Sequence, residues 1–83
     1  MKLLYFAWLR EKVGLAEEEM PLPEGVRDVA GLMAHLATRS PGHAAGFANP
    51  SALRCAVNQD FATPSDPVRE GDEVAFFPPV TGG

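Results

Sequence analysis

The C-terminal stretch over residues 78–83 holds the residue types best suited to chemistry. It reads Pro78-Pro79-Val80-Thr81-Gly82-Gly83, so two prolines precede a run without charged side chains that ends in two glycines. The fixed φ of proline favours an extended exit, and glycine adds no side chain. We therefore predict a folded domain over residues 1–77 and a flexible tail over residues 78–83, thin enough to thread a narrow tunnel in another protein.

The reactive group of such a tail is the α-carboxylate of Gly83. A carboxylate is ionised at pH 7 and is a poor acyl electrophile, because oxide is a very poor leaving group. Transfer to an adenylate supplies a leaving group, after which a sulfur nucleophile gives a thiocarboxylate and an amine gives an isopeptide bond. A thiocarboxylate is nucleophilic through sulfur, as a thiolate is. The tail therefore predicts a sulfur carrier or a protein modifier, and the third reading is an interaction module whose terminus is inert.

The other candidate groups predict no active site within this chain. Cys55 is the single cysteine and lies among apolar neighbours, which is typical of a buried structural thiol and excludes an internal disulfide. His35 and His43 lack metal-ligand spacing, and the glycines at 42 and 46 are not followed by the Lys-Ser/Thr of a phosphate-binding loop. We expect no metal site, no bound cofactor, no nucleophile–base pair and no enzyme activity of the isolated chain.

The length and the net charge of the chain exclude further classes of function. With 83 residues, the chain has room for one core and little room to enclose a cofactor. Seven basic and eleven acidic residues give a formal charge of -4, which argues against a nucleic-acid-binding surface. The sequence shows neither a secretory signal nor an apolar run near the roughly 20 residues of a membrane span. We therefore expect a cytoplasmic protein that contacts neither membranes nor nucleic acid.

The hydrophobic pattern predicts the elements that would position the tail. Residues 2–9 are apolar on both alternating faces and predict a strand, and residues 15–22 predict an edge strand that completes a hairpin. A 3.6-residue period from Val26 towards Arg39, with Gly25 as N-cap, predicts the main helix. Residues 41–52 predict an irregular connection with at most a short helix, and further strands are expected over residues 53–57, 61–63 and 73–77. The class is α+β, a roll with a mixed four- to five-stranded sheet and one main helix on one face.

One helix covers only one face of such a sheet, yet both faces carry apolar side chains. If Leu3, Tyr5, Val74 and Phe76 face the helix, then the open face holds an aromatic patch made of Phe6, Phe61 and Phe77. Such an exposed cluster is typical of a partner-binding surface. The alternative is that residues 41–52 fold over the open face and bury it.

Acidic residues are concentrated in the same half of the chain as the tail. Residues 42–83 hold two basic and five acidic residues. We expect these carboxylates to steer a basic partner surface towards the aromatic patch. They are Asp60, Asp66, Glu70, Asp72 and Glu73.

Three stretches of the sequence resemble one known family. They are residues 71–83 (GDEVAFFPPVTGG), residues 56–59 (AVNQ) and residues 6–14 (FAWLREKVG). Together they resemble the small, sulfur-carrying subunits of molybdopterin synthase, over nearly the whole chain. The resemblance implies the ubiquitin-like β-grasp fold and no active site in this chain.

The resemblance also implies a set of partners and a role for the C-terminus. An ATP-using adenylyltransferase related to ubiquitin-activating enzymes would adenylate Gly83, and sulfur from a cysteine desulfurase system would convert it to a thiocarboxylate. The tail would then enter the large catalytic subunit, in a heterotetramer of two small and two large subunits. There its sulfur would help to convert cyclic pyranopterin monophosphate into molybdopterin.

Two positions depart from the family pattern. Position 61 often holds an aliphatic residue in the family, whereas this chain has Phe61, and Trp8 stands where a polar residue is expected. The aromatic patch matches positions that pack against partners in the family. The alternatives that stay open are a carrier for thiamine or tRNA thiolation and a ubiquitin-like modifier attached to lysines.

Overall fold

The structure is a computed structural model and describes residues 1–79. Its elements follow one another in the order β1 (Lys2–Tyr5), α1 (Ala7–Val13), β2 (Glu17–Glu19), α2 (Val29–Leu36), α3 (Pro41–Gly46), a 3₁₀ turn (Pro50–Ala52), β3 (Arg54–Val57), β4 (Asp60–Ala62) and β5 (Glu73–Phe77).

The five strands form one mixed sheet in the order β2-β1-β5-β3-β4. The central strands β1 and β5 are parallel, and the other pairs are antiparallel. The predicted α+β roll with a mixed sheet is therefore confirmed, and the last strand has the predicted bounds. The strands predicted at 53–57 and 61–63 are present with ends that differ by one residue.

The core lies on one face of the sheet, where the helices pack. Leu3, Tyr5, Val74 and Phe76 are buried there, as the alternation predicted. Phe47, from the connection that follows α3, joins them, and its ring meets that of Phe76 edge to face with centroids 5.1 Å apart. The alternative in which residues 41–52 cover the open face is therefore wrong, because Phe47 fixes that segment to the core face.

The first predicted strand is too long. β1 ends at Tyr5, and the chain then turns through Ala7, whose φ of 56° is left-handed, into the helix α1. Leu9 and Val13 lie four residues apart on one side of α1 and are buried, whereas Trp8 is exposed. Gly14 ends the helix in the left-handed conformation (φ 88°) and donates its N–H to the carbonyl of Arg10.

The main helix starts later than predicted. Its N-cap is Asp28, whose Oδ1 accepts the N–H of Gly31 at 2.8 Å, so α2 begins at Val29 and not at Val26. Gly25 lies in the preceding turn with φ 83°. The second strand is also shorter than the predicted span of residues 15–22, since β2 covers only Glu17–Glu19.

Residues 41–52 contain the short helix that the prediction allowed, α3, and in addition the 3₁₀ turn. Ser40 caps α3 by accepting the N–H of His43 at 3.1 Å. Gly42 and Gly46 let α3 approach α1 closely: a Cβ on Gly42 would stand 2.5 Å from the carbonyl oxygen of Lys12. The predicted main helix α2 is therefore accompanied, within residues 1–79, by the shorter helices α1 and α3 on the same core face.

Candidate functional site

The open face carries a row of apolar side chains that crosses four strands. Leu4 lies opposite Ala75, Ala75 opposite Ala56, and Ala56 opposite Phe61. The three aliphatic side chains of the row are partly exposed. The period-2 alternation of the strands is consistent with this row, of which only the aromatic end was predicted as a binding surface.

The aromatic patch is placed at one end of this face. Phe61 is 86% exposed, and its ring centroid lies 6.1 Å from that of the half-buried Phe77. Phe6 is also exposed, and its backbone N–H donates to the carbonyl of Phe76 at 3.2 Å, so Phe6 follows β1 beside the end of β5. The structure thus brings Phe61 and Phe77 into ring contact, while Phe6 stands at the same end of the sheet as Phe77.

The chain leaves the sheet from its centre, beside the aromatic patch. β5 lies between β1 and β3, and its last residue, Phe77, is followed by the half-buried Pro78 and the exposed Pro79. The predicted tail residues Val80, Thr81, Gly82 and Gly83 lie outside the described residues. Their role stays a prediction.

Four of the five acidic residues expected to steer a partner have local roles. Asp72 accepts from Asn58 Nδ2 at 3.0 Å and from the N–H of Arg69 at 2.8 Å. Asp66 accepts the N–H of Thr63 at 2.7 Å. The remaining two meet Leu22 and Lys2: Glu70 accepts the N–H of Leu22, and Glu73 is the Cα partner of Lys2 between β5 and β1. Asp60 is exposed at the start of β4 and is the steering candidate that the structure favours.

A buried polar cluster on the core side joins four parts of the chain through Glu18. Its Oε2 accepts from Tyr5 Oη at 2.7 Å and lies 2.7 Å from His43 Nε2, and its Oε1 accepts from Arg39 Nη2 at 3.0 Å. His43 Nδ1 is 2.7 Å from Ser40 Oγ. Burial raises the pKa of Glu18, but the hydrogen bonds from His43 and Tyr5 and the charge of Arg39 outweigh it and hold that pKa below its usual value. Burial, reinforced by the bond to Glu18, raises the pKa of Tyr5.

This cluster contains the Ser-His-Glu residue types of a hydrolase triad, which the sequence did not predict. Ser40 Oγ is occupied as the helix cap of α3, and His43 is only 5% exposed. A substrate therefore has no access to the imidazole, and we assign the cluster to the fold. No sequence signal marks Glu18, because its partners lie 13 to 25 residues away in sequence.

The remaining candidate groups do not form a catalytic site. Cys55 is buried, and burial together with the charge of Asp66 raises the pKa of its thiol, so it is a poor nucleophile. Among residues 1–79, no three His, Cys, Asp or Glu side chains are grouped as metal ligands. No helix in this part of the chain is long and apolar enough to cross a membrane.

A groove of about 880 Å³ lies between α2 and the β3–β4 hairpin. Its lining is mainly apolar, with Met33, Leu53 and Ala62 among the contributors. It contains no His, Asp or Glu, so it offers no acid–base pair.

Comparisons with known proteins agree with this arrangement. The profile of the ThiS family matches residues 3–83. The chain is 41% identical to the molybdopterin synthase sulfur carrier subunit of Escherichia coli (strain K12), with 100% of this chain and 99% of that protein covered. It is 36% identical to the protein of the same name from Haemophilus influenzae, with the same coverage. Among solved structures, a candidate molybdopterin converting factor, subunit 1, from Pyrococcus furiosus superposes with a TM-score of 0.77 at 33% identity and covers 95% of each chain.

Proposed function

This chain belongs to the ThiS family, and we propose that it is the sulfur carrier of molybdenum cofactor biosynthesis, the small subunit of a molybdopterin synthase. In this proposal, the C-terminal thiocarboxylate of Gly83 donates sulfur for the conversion of cyclic pyranopterin monophosphate into molybdopterin. The chain works in the cytoplasm, holds no cofactor and has no catalytic centre of its own. The chemistry takes place in the partner proteins that receive its tail.

The observation that carries the proposal is the exit of the chain from β5. Phe77 is at once the last residue of a central strand and a member of the aromatic patch. A partner that docks on the patch therefore receives the tail from the same point of the surface. Docking and insertion of the tail support each other, because the docked body fixes where the tail begins.

The division of labour with two enzymes follows from the chemistry of the carboxylate. An adenylyltransferase joins the carboxylate to the α-phosphate of ATP and releases pyrophosphate. The sulfur of a donor persulfide then attacks the acyl carbon and displaces AMP, and a thiol cleaves the resulting acyl disulfide, which leaves the thiocarboxylate on Gly83 and a disulfide on the donor. The large synthase subunit binds the thiocarboxylated carrier through the aromatic patch, and the sulfur is transferred there. Phe6, Phe61 and Phe77 are the docking residues in this proposal, and Pro78 and Pro79 direct the tail.

Intact-mass spectrometry of the protein isolated from cells tests the proposal. One terminal oxygen replaced by sulfur, together with co-purification of the large synthase subunit, is the expected result. Lysine-linked conjugates would instead indicate a modifier. Thiolation without the large subunit would indicate a carrier for thiamine or tRNA, and a chain that is never modified would remove all of these functions.

Deletion of Gly83 tests the role of the terminus directly. We expect the deletion to abolish sulfur transfer in a reconstituted synthase and to leave the thermal melt nearly unchanged, because the prediction places the tail outside the folded body. Thr81→Ser is the matched control, since it changes the tail but keeps the Gly-Gly end. A large loss of stability on deletion would contradict the free-tail prediction.

A further inference from the structure

The turn between β3 and β4 determines which backbone groups of β4 face outwards. Its two residues, Asn58 and Gln59, have φ values of 51° and 73°, which is the geometry of a type I′ hairpin. In such a hairpin the residues flanking the turn, Val57 and Asp60, exchange both backbone hydrogen bonds, and hydrogen-bonded pairs alternate from there. The next pair, Ala56 and Phe61, is therefore a non-hydrogen-bonded pair. The N–H and C=O of Phe61 therefore point away from β3.

The outward groups of Phe61 meet open space. β4 is an edge strand of the sheet. Outside the β3–β4 ladder, no hydrogen bond among residues 1–79 involves the backbone of Phe61. The side chain of Phe61 is 86% exposed beside these groups. The edge of β4 thus offers one donor, one acceptor and an aromatic side chain at a single residue.

The β2 edge of the sheet is protected against the addition of a strand, and the β4 edge is not. β2 consists of three glutamates, of which Glu17 and Glu19 are exposed, and exposed charges at an edge discourage a further strand. Lys2 pairs with Glu17 at 3.2 Å and adds to the charge there. β4 reads Asp60-Phe61-Ala62 and contains neither a proline nor a lysine. The contrast identifies β4 as the edge that can accept a strand.

We propose that the edge of β4 binds an extended segment of a partner protein by strand addition, with an apolar partner residue opposite Phe61 and basic residues towards both ends. Carboxylates bracket the edge: Asp60 opens β4, and Asp66 caps the N–H of Thr63 just after it. A basic-apolar-basic segment complements this pattern. The proposal goes beyond sulfur transfer, because it concerns backbone groups of β4 and requires no chemistry at the tail.

A second copy of this chain fits the edge less well. Each copy has a formal charge of -4, so two copies repel each other. A pairing of three-residue strands also buries far less than the roughly 1,200 Å² of a stable interface.

The test uses a synthetic cyclic β-hairpin peptide whose free strand reads Arg-Ile-Tyr-Ile-Arg, titrated into the isotope-labelled full chain and followed by NMR. We expect saturable shifts at the backbone amides of β4, slower exchange of the Phe61 amide proton, and a dissociation constant on the order of 1 mM. The same peptide with glutamates in place of its arginines is expected to bind about tenfold more weakly, because it faces Asp60 and Asp66.

A backbone variant separates strand addition from side-chain contact. Because Cys55 is the only cysteine, a synthetic segment of residues 55–83 can be ligated to recombinant residues 1–54, with an N-methyl group on the amide of Phe61. We expect about tenfold weaker peptide binding than for the unmethylated ligated chain, since one outward donor is lost. An ester in place of the Asp60–Phe61 amide removes the same donor without added bulk, should the methylated chain fold poorly.

Three outcomes would overturn the proposal. They are no amide shifts at peptide concentrations several times the expected constant, equal binding by the backbone variants, and self-association of the chain that the backbone variants abolish. The last outcome would make a second copy the occupant. None of these measurements involves Gly83, so a failure here leaves the sulfur-carrier proposal untouched, and the reverse also holds.

Discussion

The substitution Phe77→Asp tests whether the aromatic patch is the docking surface. Phe77 is half-buried on the open face, with its ring against that of Phe61. Its Cα partner on β3 is the exposed Arg54, and position 77 itself keeps access to solvent, so the substituted carboxylate is not buried unpaired. The free chain should therefore tolerate the change, whereas a partner that packs on the ring should not.

The expected loss of binding free energy is larger than the expected loss of folding stability. Loss of a buried aromatic anchor costs about 2–4 kcal/mol of binding free energy, which raises the dissociation constant for the large synthase subunit about 30- to 700-fold. In the free chain, the lost ring contact costs about 0.5–1.5 kcal/mol, and the poorer strand preference of aspartate costs up to about 1 kcal/mol. The total of about 0.5–2.5 kcal/mol lowers the melting temperature by about 2–20 °C, so the variant can be studied while it is folded.

Isothermal titration calorimetry with the large subunit measures the effect, and far-UV circular dichroism checks that the variant is folded at the same temperature. Ala44→Asp is the matched control, because it makes the same change in charge at an exposed position of α3, on the helical side. We expect the control to bind like the original chain. If folded Phe77→Asp bound within about threefold of the original chain, a loss under about 0.7 kcal/mol, the docking role of the patch would be refuted.

Three further substitutions test the physical account of the fold. The folded chain holds the pKa of Glu18 below the ordinary value of 4.5, so the ionised side chain stabilises the fold fully above pH 4.5 and loses this effect as the pH falls through the lowered pKa. Glu18→Gln should therefore weaken the loss of stability between about pH 7 and pH 3, measured by urea titrations. An unchanged pH dependence would contradict the role of the cluster. Gly42→Ala should lower the free energy of unfolding by about 1–3 kcal/mol, because the added carbon meets the backbone of Lys12 and Val13. This loss exceeds the gain in helix propensity of up to about 1 kcal/mol. A variant that is stabilised in thermal melts would mean that α1 and α3 separate easily. Gln59→Gly should raise the free energy of unfolding by about 0.5–1 kcal/mol, because the left-handed φ of 73° suits glycine, and denaturant unfolding that shows a loss would exclude strain at this turn.

The parts of the fold that local patterns determine were predictable from the sequence. Alternation placed Tyr5 and Phe76 in the core and Phe77 on the open face, and the structure confirms each position. The run from Phe6 to Leu9 was assigned to a strand, because a short, continuous apolar run has no period that separates strand from helix. The turn at Ala7 has no sequence signal, since its left-handed backbone belongs to a residue that rarely adopts it.

The parts that depend on distant partners were not predictable. Glu18 lies in a run of glutamates, and only its contacts with Tyr5, Arg39 and His43 distinguish it from its neighbours. The same holds for α3, whose glycines become informative once α1 lies against them. The candidate site divides in the same way: the open-face positions of Phe61 and Phe77 were predictable from strand alternation, whereas the free edge of β4 required the strand order of the sheet.

The two faces of the sheet explain how a chain of 83 residues can expose aromatic side chains and still fold. Phe76 and Phe77 are adjacent in β5, yet the first is fully buried under the helices and the second is half-buried on the open face. Three short helices and the Glu18 cluster stabilise the core face alone. The apolar surface of the open face is therefore not needed to close the core, and it remains available for binding. A small carrier that must leave each partner after delivering its cargo requires this separation, because release then exposes the binding surface without disturbing the core.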